Sequence, residues 1–237
     1  MNNIQKLGGF AFLLGLAGYA GAATPASSAL NLSAKITMPA CDANIVSEVD
    51  YGVIPRGSLN PGEANYLSEK AITLEVSCNM DTLIWVKVTD DNPGTDMKPD
   101  TPLPTQVMGS TLITLPSESL LGLGRFAPNV SIGAYALQFE KPTVTKNDGT
   151  SVDAYLDVTD TVAACASACG YLNEKFFDSR KPYITTTTGG GTSWSNAAGK
   201  EFSFPIKVLT TLNEGALLAG TDDVELEGRT TMEIHYL

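Results

Sequence analysis

The chain has 237 residues, 26 acidic against 15 basic side chains, a single histidine and a formal net charge of −11. An acidic field of that size repels nucleic acid and anionic membrane surfaces, so neither is an expected partner. The length fits one large β domain or two small ones.

Taken in order, the chain opens with an export signal. Lys6 provides a positive start, Leu7 to Tyr19 is apolar, and Ala20-Gly21-Ala22 supplies the small residues a signal peptidase needs. Cleavage is expected after Ala22 or Ala23, because thirteen apolar residues are short for a membrane anchor, which needs roughly 20. Losing residues 1–22 removes Lys6 and no acidic residue, so the mature 23–237 carries −12 instead of −11. The mature protein is expected outside the cytoplasm, as a single β domain.

Residues 30–38 alternate, with Leu30, Leu32, Ala34, Ile36 and Met38 on one face and Asn31, Ser33, Lys35 and Thr37 on the other. Two readings stand: a spare strand offered to another chain, within a segment 23–38, or an ordinary first strand of the domain. Cys41 follows. Val49 to Ile54 reads as a short strand entering Pro55 and Gly57, Ala71 to Cys78 as a longer one, and Leu83 to Thr89 as another. Asp90-Asp91-Asn92-Pro93-Gly94 turns the chain.

From about 95 to 200 the sequence is rich in Pro, Thr, Gly and Ser and reads as loops inserted on a sandwich, including the run Thr185 to Gly191. Short pieces around Thr161 to Cys169 and Asn173 to Arg180 are the only helix candidates. The framework returns at Phe202 to Leu212, where Pro205 argues for an edge position or a bulge. The last strand, Thr230 to Leu237, alternates Met232, Ile234 and Tyr236 inward with Thr231, Glu233 and His235 outward. Nothing after Leu237 covers its edge, and an open edge invites another chain. The fold class is therefore all-β: an antiparallel sandwich with long loop insertions.

Four cysteines in an exported chain are read as two disulfides with three possible connectivities. The economical pairing joins Cys41 with Cys78, linking the ends of two strands, and Cys165 with Cys169, clipping a loop. A metal half-site or redox pair at Cys165 and Cys169 is the weaker reading, since the one histidine is far away in sequence.

Enzyme chemistry finds no support: there is no nucleophile elbow, phosphate loop or HExxH, and no cofactor is expected. Solvation explains His235 and turn chemistry explains Asp90 and Asp91, against a weak calcium site that would add Asp96. Trp194 reads as a packed loop anchor rather than as a platform for a sugar.

Pro39-Ala40-Cys41, Val49-Asp50-Tyr51-Gly52, Leu74 to Cys78 and a penultimate tyrosine together resemble the pilin domain of chaperone–usher fimbriae of Gram-negative bacteria. Leu121 to Gly124, Ile132 to Tyr135, Phe204 to Ile206, Leu226 to Gly228 and Ile234 to Leu237 resemble the GltF-like group of fimbrial-like exported proteins over nearly the whole mature chain. The pilin resemblance implies an incomplete immunoglobulin-like sandwich that lacks its last strand. It implies as partners a periplasmic chaperone, an outer-membrane usher and other pilin subunits, and a route through the periplasm to a fimbrium at the cell surface. Leu30, Leu32, Ala34 and Ile36 fall at donor-strand offsets from Cys41, with Ala34 where pilins carry a glycine. Tyr236 and Leu237 match the terminal chaperone contact, while Val224 occupies a place where pilins usually have glycine. The expected function is a structural subunit supporting adhesion; the alternative is a tip or periplasmic binding module that closes its own fold.

Overall fold

The computed structural model describes residues 38–93, 103–107, 111–163, 170–190, 192–220 and 224–236, with 103–107 and 111–114 as backbone only. Leu30, Leu32, Ala34, Ile36, Cys165, Cys169 and Leu237 lie outside the described residues, as do the signal segment 1–22 and Asp96. Residues 38–237 fall in one compact unit.

The chain is all-β and antiparallel, folded as a sandwich. The longer strands are β1 (Cys41–Val46), β2 (Lys70–Thr82), β3 (Ile84–Asp90), β4 (Gly133–Phe139), β5 (Tyr155–Thr159), β6 (Tyr183–Gly190), β7 (Gly199–Leu212) and β8 (Thr230–Tyr236). One sheet runs β1-β2-β7-β4 and ends on Lys175–Phe176; the other runs β5-β6-β3-β8. The segment Lys70–Asp90 leaves the first sheet and joins the second at Leu83. Its alternation carries through that change, so Ile72, Leu74, Val76, Cys78, Ile84, Val86 and Val88 all enter one core. Phe139, Phe202, Phe204, Ile206, Leu156 and Ile184 fill the space between the sheets.

Several expected elements come out differently. Val49 to Ile54 is irregular rather than a strand: Ser47 and Gly52 take left-handed φ of 82° and 61°, and the Gly52 N–H donates to Asp50 Oδ1 at 2.7 Å. Val49 and Ile54 still pack against the core. The strand beside Cys78 starts at Cys41 instead of ending there, and β1 is mostly exposed. The stretch 95–200 is not only loops, because it supplies β4, β5 and β6. β4 is buried on both faces and so lacks the alternation that marks a half-buried strand. In β6 the threonine hydroxyls take up carbonyls, Thr185 Oγ1 donating to Ile84 O at 2.7 Å and Thr186 Oγ1 to Ala197 O at 3.1 Å.

No helix forms over 173–180, where Lys175 and Phe176 pair with β4. Pro205 sits in the central strand β7 rather than on an edge. There β7 changes neighbours, pairing Glu201–Ser203 with Thr143–Thr145 and Ile206–Leu212 with β4, so the missing N–H falls between two ladders. The irregularity in β7 lies between Gly199 and Glu201.

Candidate functional site

β8 is held from one side only. It pairs over its whole length with β3, from Thr230↔Asp90 to Tyr236↔Ile84, and among the described residues its outer edge pairs with nothing. β1 ends the other sheet in the same way, paired to β2 from Cys41↔Cys78 to Val46↔Thr73. Both edge strands run antiparallel to the same stretch, Lys70–Asp90. Among the described residues, the fold therefore presents two unpaired strand edges flanking one continuous segment.

The side chains along these edges are only partly covered. Met232 and Ile234 are half-buried and pack against the core, as their inward phase requires. Tyr236 continues that phase but remains 38% exposed, so its inward position does not bury it. On β1, Ile45 and Val46 are exposed as well. Apolar groups at an open edge are the feature that soluble proteins usually remove by charge or by a covering segment.

The start of β8 is fixed by groups that read in sequence as simple turn residues. Asp90 Oδ1 accepts the Asn92 N–H at 2.9 Å, the Asp91 N–H donates to Arg229 O at 3.1 Å, and Thr231 Oγ1 donates to Asp91 Oδ2 at 2.8 Å. Asn92 Nδ2 donates to Glu227 O. A further tie crosses between the sheets, from the Tyr135 hydroxyl on β4 to the Thr230 hydroxyl. Sequence reasoning missed Tyr135, although a tyrosine within a wholly apolar run has to find a partner for its hydroxyl.

Burial pushes the Tyr135 phenol up to about 12, against the lowering effect of its bond to Thr230. An unfolded tyrosine titrates near 10.0. Below pH 10 both states hold the proton and the stabilisation is complete. As pH rises towards 12 the unfolded chain releases its proton first, so stability falls by about 2 to 3 kcal/mol. Urea midpoints of the wild type and Tyr135→Phe between about pH 9 and 11.5 are expected to converge as pH rises, and parallel curves would contradict this assignment.

On the outward face of β8, Lys87 Nζ lies 3.4 Å and His235 Nε2 3.5 Å from Glu233 Oε2. The Lys87 ammonium, with a smaller effect from His235, holds the Glu233 carboxyl below its ordinary range. His235 also meets the Tyr183 ring edge-on at 5.5 Å. These are exposed surface contacts between neighbouring side chains of β3, β6 and β8, whose register is set by the backbone ladder. Cys41 and Cys78 form the expected disulfide across β1 and β2. Trp194 is not a solitary loop residue. It lies in the strand Ser193–Asn196, stacks on Tyr171 at 4.7 Å and meets Tyr155 edge-on at 5.2 Å.

Comparison with known proteins gives two findings. The family described as Protein of unknown function (DUF1120) matches residues 30–136. The chain is also similar to Protein GltF of Escherichia coli (strain K12), 24% identical over 204 residues that cover 80% of this chain and 79% of that protein. No solved structure matches the chain.

Proposed function

We propose that this chain is an exported structural subunit of a fimbrial type, completed by a strand from another chain and supporting adhesion at the cell surface. The observation that carries the reading is β8, a terminal strand with an unpaired outer edge among the described residues and a row of half-covered apolar side chains. Leu30, Leu32, Ala34 and Ile36 of a neighbouring copy, or of a related subunit, are the proposed cover. Three large apolar side chains and one small one entering such an edge contribute on the order of 5 to 8 kcal/mol, and ladder bonds set the register. Before assembly a periplasmic chaperone holds the same edge, with Met232, Ile234, Tyr236 and Leu237 in contact, and an outer-membrane usher passes the subunit on.

The test compares the mature chain 23–237 with 38–237 in urea, with and without a peptide of residues 29–37. The shorter chain is expected to aggregate or unfold early, and peptide at about a hundred times its Kd is expected to restore about 2.7 kcal/mol. Ile234→Lys should abolish the rescue. Two equally stable monomers indifferent to peptide would instead mean a binding module that closes its own fold.

A further inference from the structure

At the edge opposite β1, the first sheet ends at β4 and its short partner Lys175–Phe176. There a second, smaller apolar cluster of Leu115, Leu120, Ala134, Ala136 and Phe176 covers the outward face of β4. Beside it opens a cleft of about 320 Å³, lined by Pro116, Gln138, Glu174, Phe176, Asp178 and Arg180 among others. Its size is at the lower end of small-molecule sites.

Gln138 makes this cleft unusual. It is 1% exposed and its Nε2 donates to Glu174 Oε2 at 3.0 Å, while its Oε1 finds no partner among the described residues. A buried acceptor without a donor is costly and calls for a reason. The walls are already set. The Ser179 N–H donates to Glu118 O at 2.8 Å, joining the segments on the two sides of the cleft. Arg180 grips Asp178 through two bonds of 3.0 and 2.9 Å and reaches Glu118 at 3.5 Å.

The chemistry narrows the ligand. Arg180 is engaged by two carboxylates, which disfavours a free anion. Among the described residues no group of three or more metal-ligating side chains stands together, so a cation site has no basis here. Charged and amide groups of both donor and acceptor type line one part of the cleft, and Phe176 and Pro116 line another. That mixture suits a molecule with several hydroxyls on a ring that also has an apolar face.

We propose that this cleft binds a single saccharide ring, whose hydroxyl donates to Gln138 Oε1 and whose C–H face lies against Phe176 and Pro116. The side-chain amide turns slightly to meet its ligand, and the carboxylates of Glu174 and Asp178 take neighbouring hydroxyls.

The experiment titrates the mature chain 23–237 with the methyl β-glycosides of glucose, galactose and N-acetylglucosamine, followed by amide shifts of Gln138 and Phe176. One of them is expected to saturate at millimolar concentration. Gln138→Leu should weaken it by about tenfold or more while leaving the urea midpoint unchanged or higher, because it removes the orphaned carbonyl. Glu174→Gln, at an exposed residue, should weaken it less. Shifts from 1,4-diaminobutane alone, no shift from any glycoside at about 50 mM, or unaltered binding by Gln138→Leu would each overturn the proposal.

Discussion

Replacing Cys41 and Cys78 together by serine is expected to lower the unfolding free energy by about 4 kcal/mol, the chain-entropy value for a bridge closing this span. The two residues are separated by 37 positions and face each other across β1 and β2. The loss should be felt most at β1, because that strand buries almost nothing of its own. Its five residues after Cys41 are exposed, so the ladder with β2 and the bridge are what hold it. A melting curve should shift down by roughly 10 °C for a domain of this size. Hydrogen exchange should place the first opening at residues 41–46. Equal melting of the variant and the wild type would mean that the ladder alone carries β1.

The parts of this fold that were legible in the sequence are those with one face in the core. β2 and β7 alternate, β8 alternates through Met232 and Ile234, and each stands where period-two patterning puts it. The economical pairing of Cys41 with Cys78 holds, although β1 starts at Cys41 and Cys78 lies inside β2 rather than at its end. β4 and β6 were hidden for opposite reasons. Gly133 to Phe139 is buried on both faces and shows no alternation, whereas the Thr185 to Gly190 stretch looks like a loop until its hydroxyls are seen bonded to carbonyls. β1 was hidden because an exposed edge strand has no pattern to show. At the candidate site, the strand β8 with Met232 and Ile234 inward could be read from the sequence, since it depends on where apolar residues alternate. Its anchors could not. Tyr135 and Asp91 reach Thr230 and Thr231 from 95 and 140 positions away, and no local pattern encodes such contacts. Gln138 was equally invisible, because its burial comes from segments that cover the outer face of a sheet.

Adding one methyl group at Gly133 is expected to cost about 3 kcal/mol, a large effect for so small a change. A Cβ built there would lie 2.2 Å from the Thr211 carbonyl oxygen and 2.9 Å from the Leu212 Cα, both backbone atoms that no side-chain rotation can move aside. β4 and β7 approach this closely because Gly133 pairs with Leu212 at the start of their ladder. Gly133→Ala must therefore push the strands apart or break the register at that end. Two residues on, the same strand carries Tyr135, whose hydroxyl ties β4 to Thr230. The strain is thus expected to loosen the terminal strand as well, lowering the response to added 29–37 peptide in parallel with the urea midpoint. Gly57→Ala, where nothing lies within 4 Å of the added carbon, serves as the control and should change stability by less than about 0.5 kcal/mol. If Gly133→Ala melts like that control, the close approach of β4 and β7 is not a constraint of the native fold. If it melts early but still responds fully to peptide, Tyr135 is not what holds β8 in place.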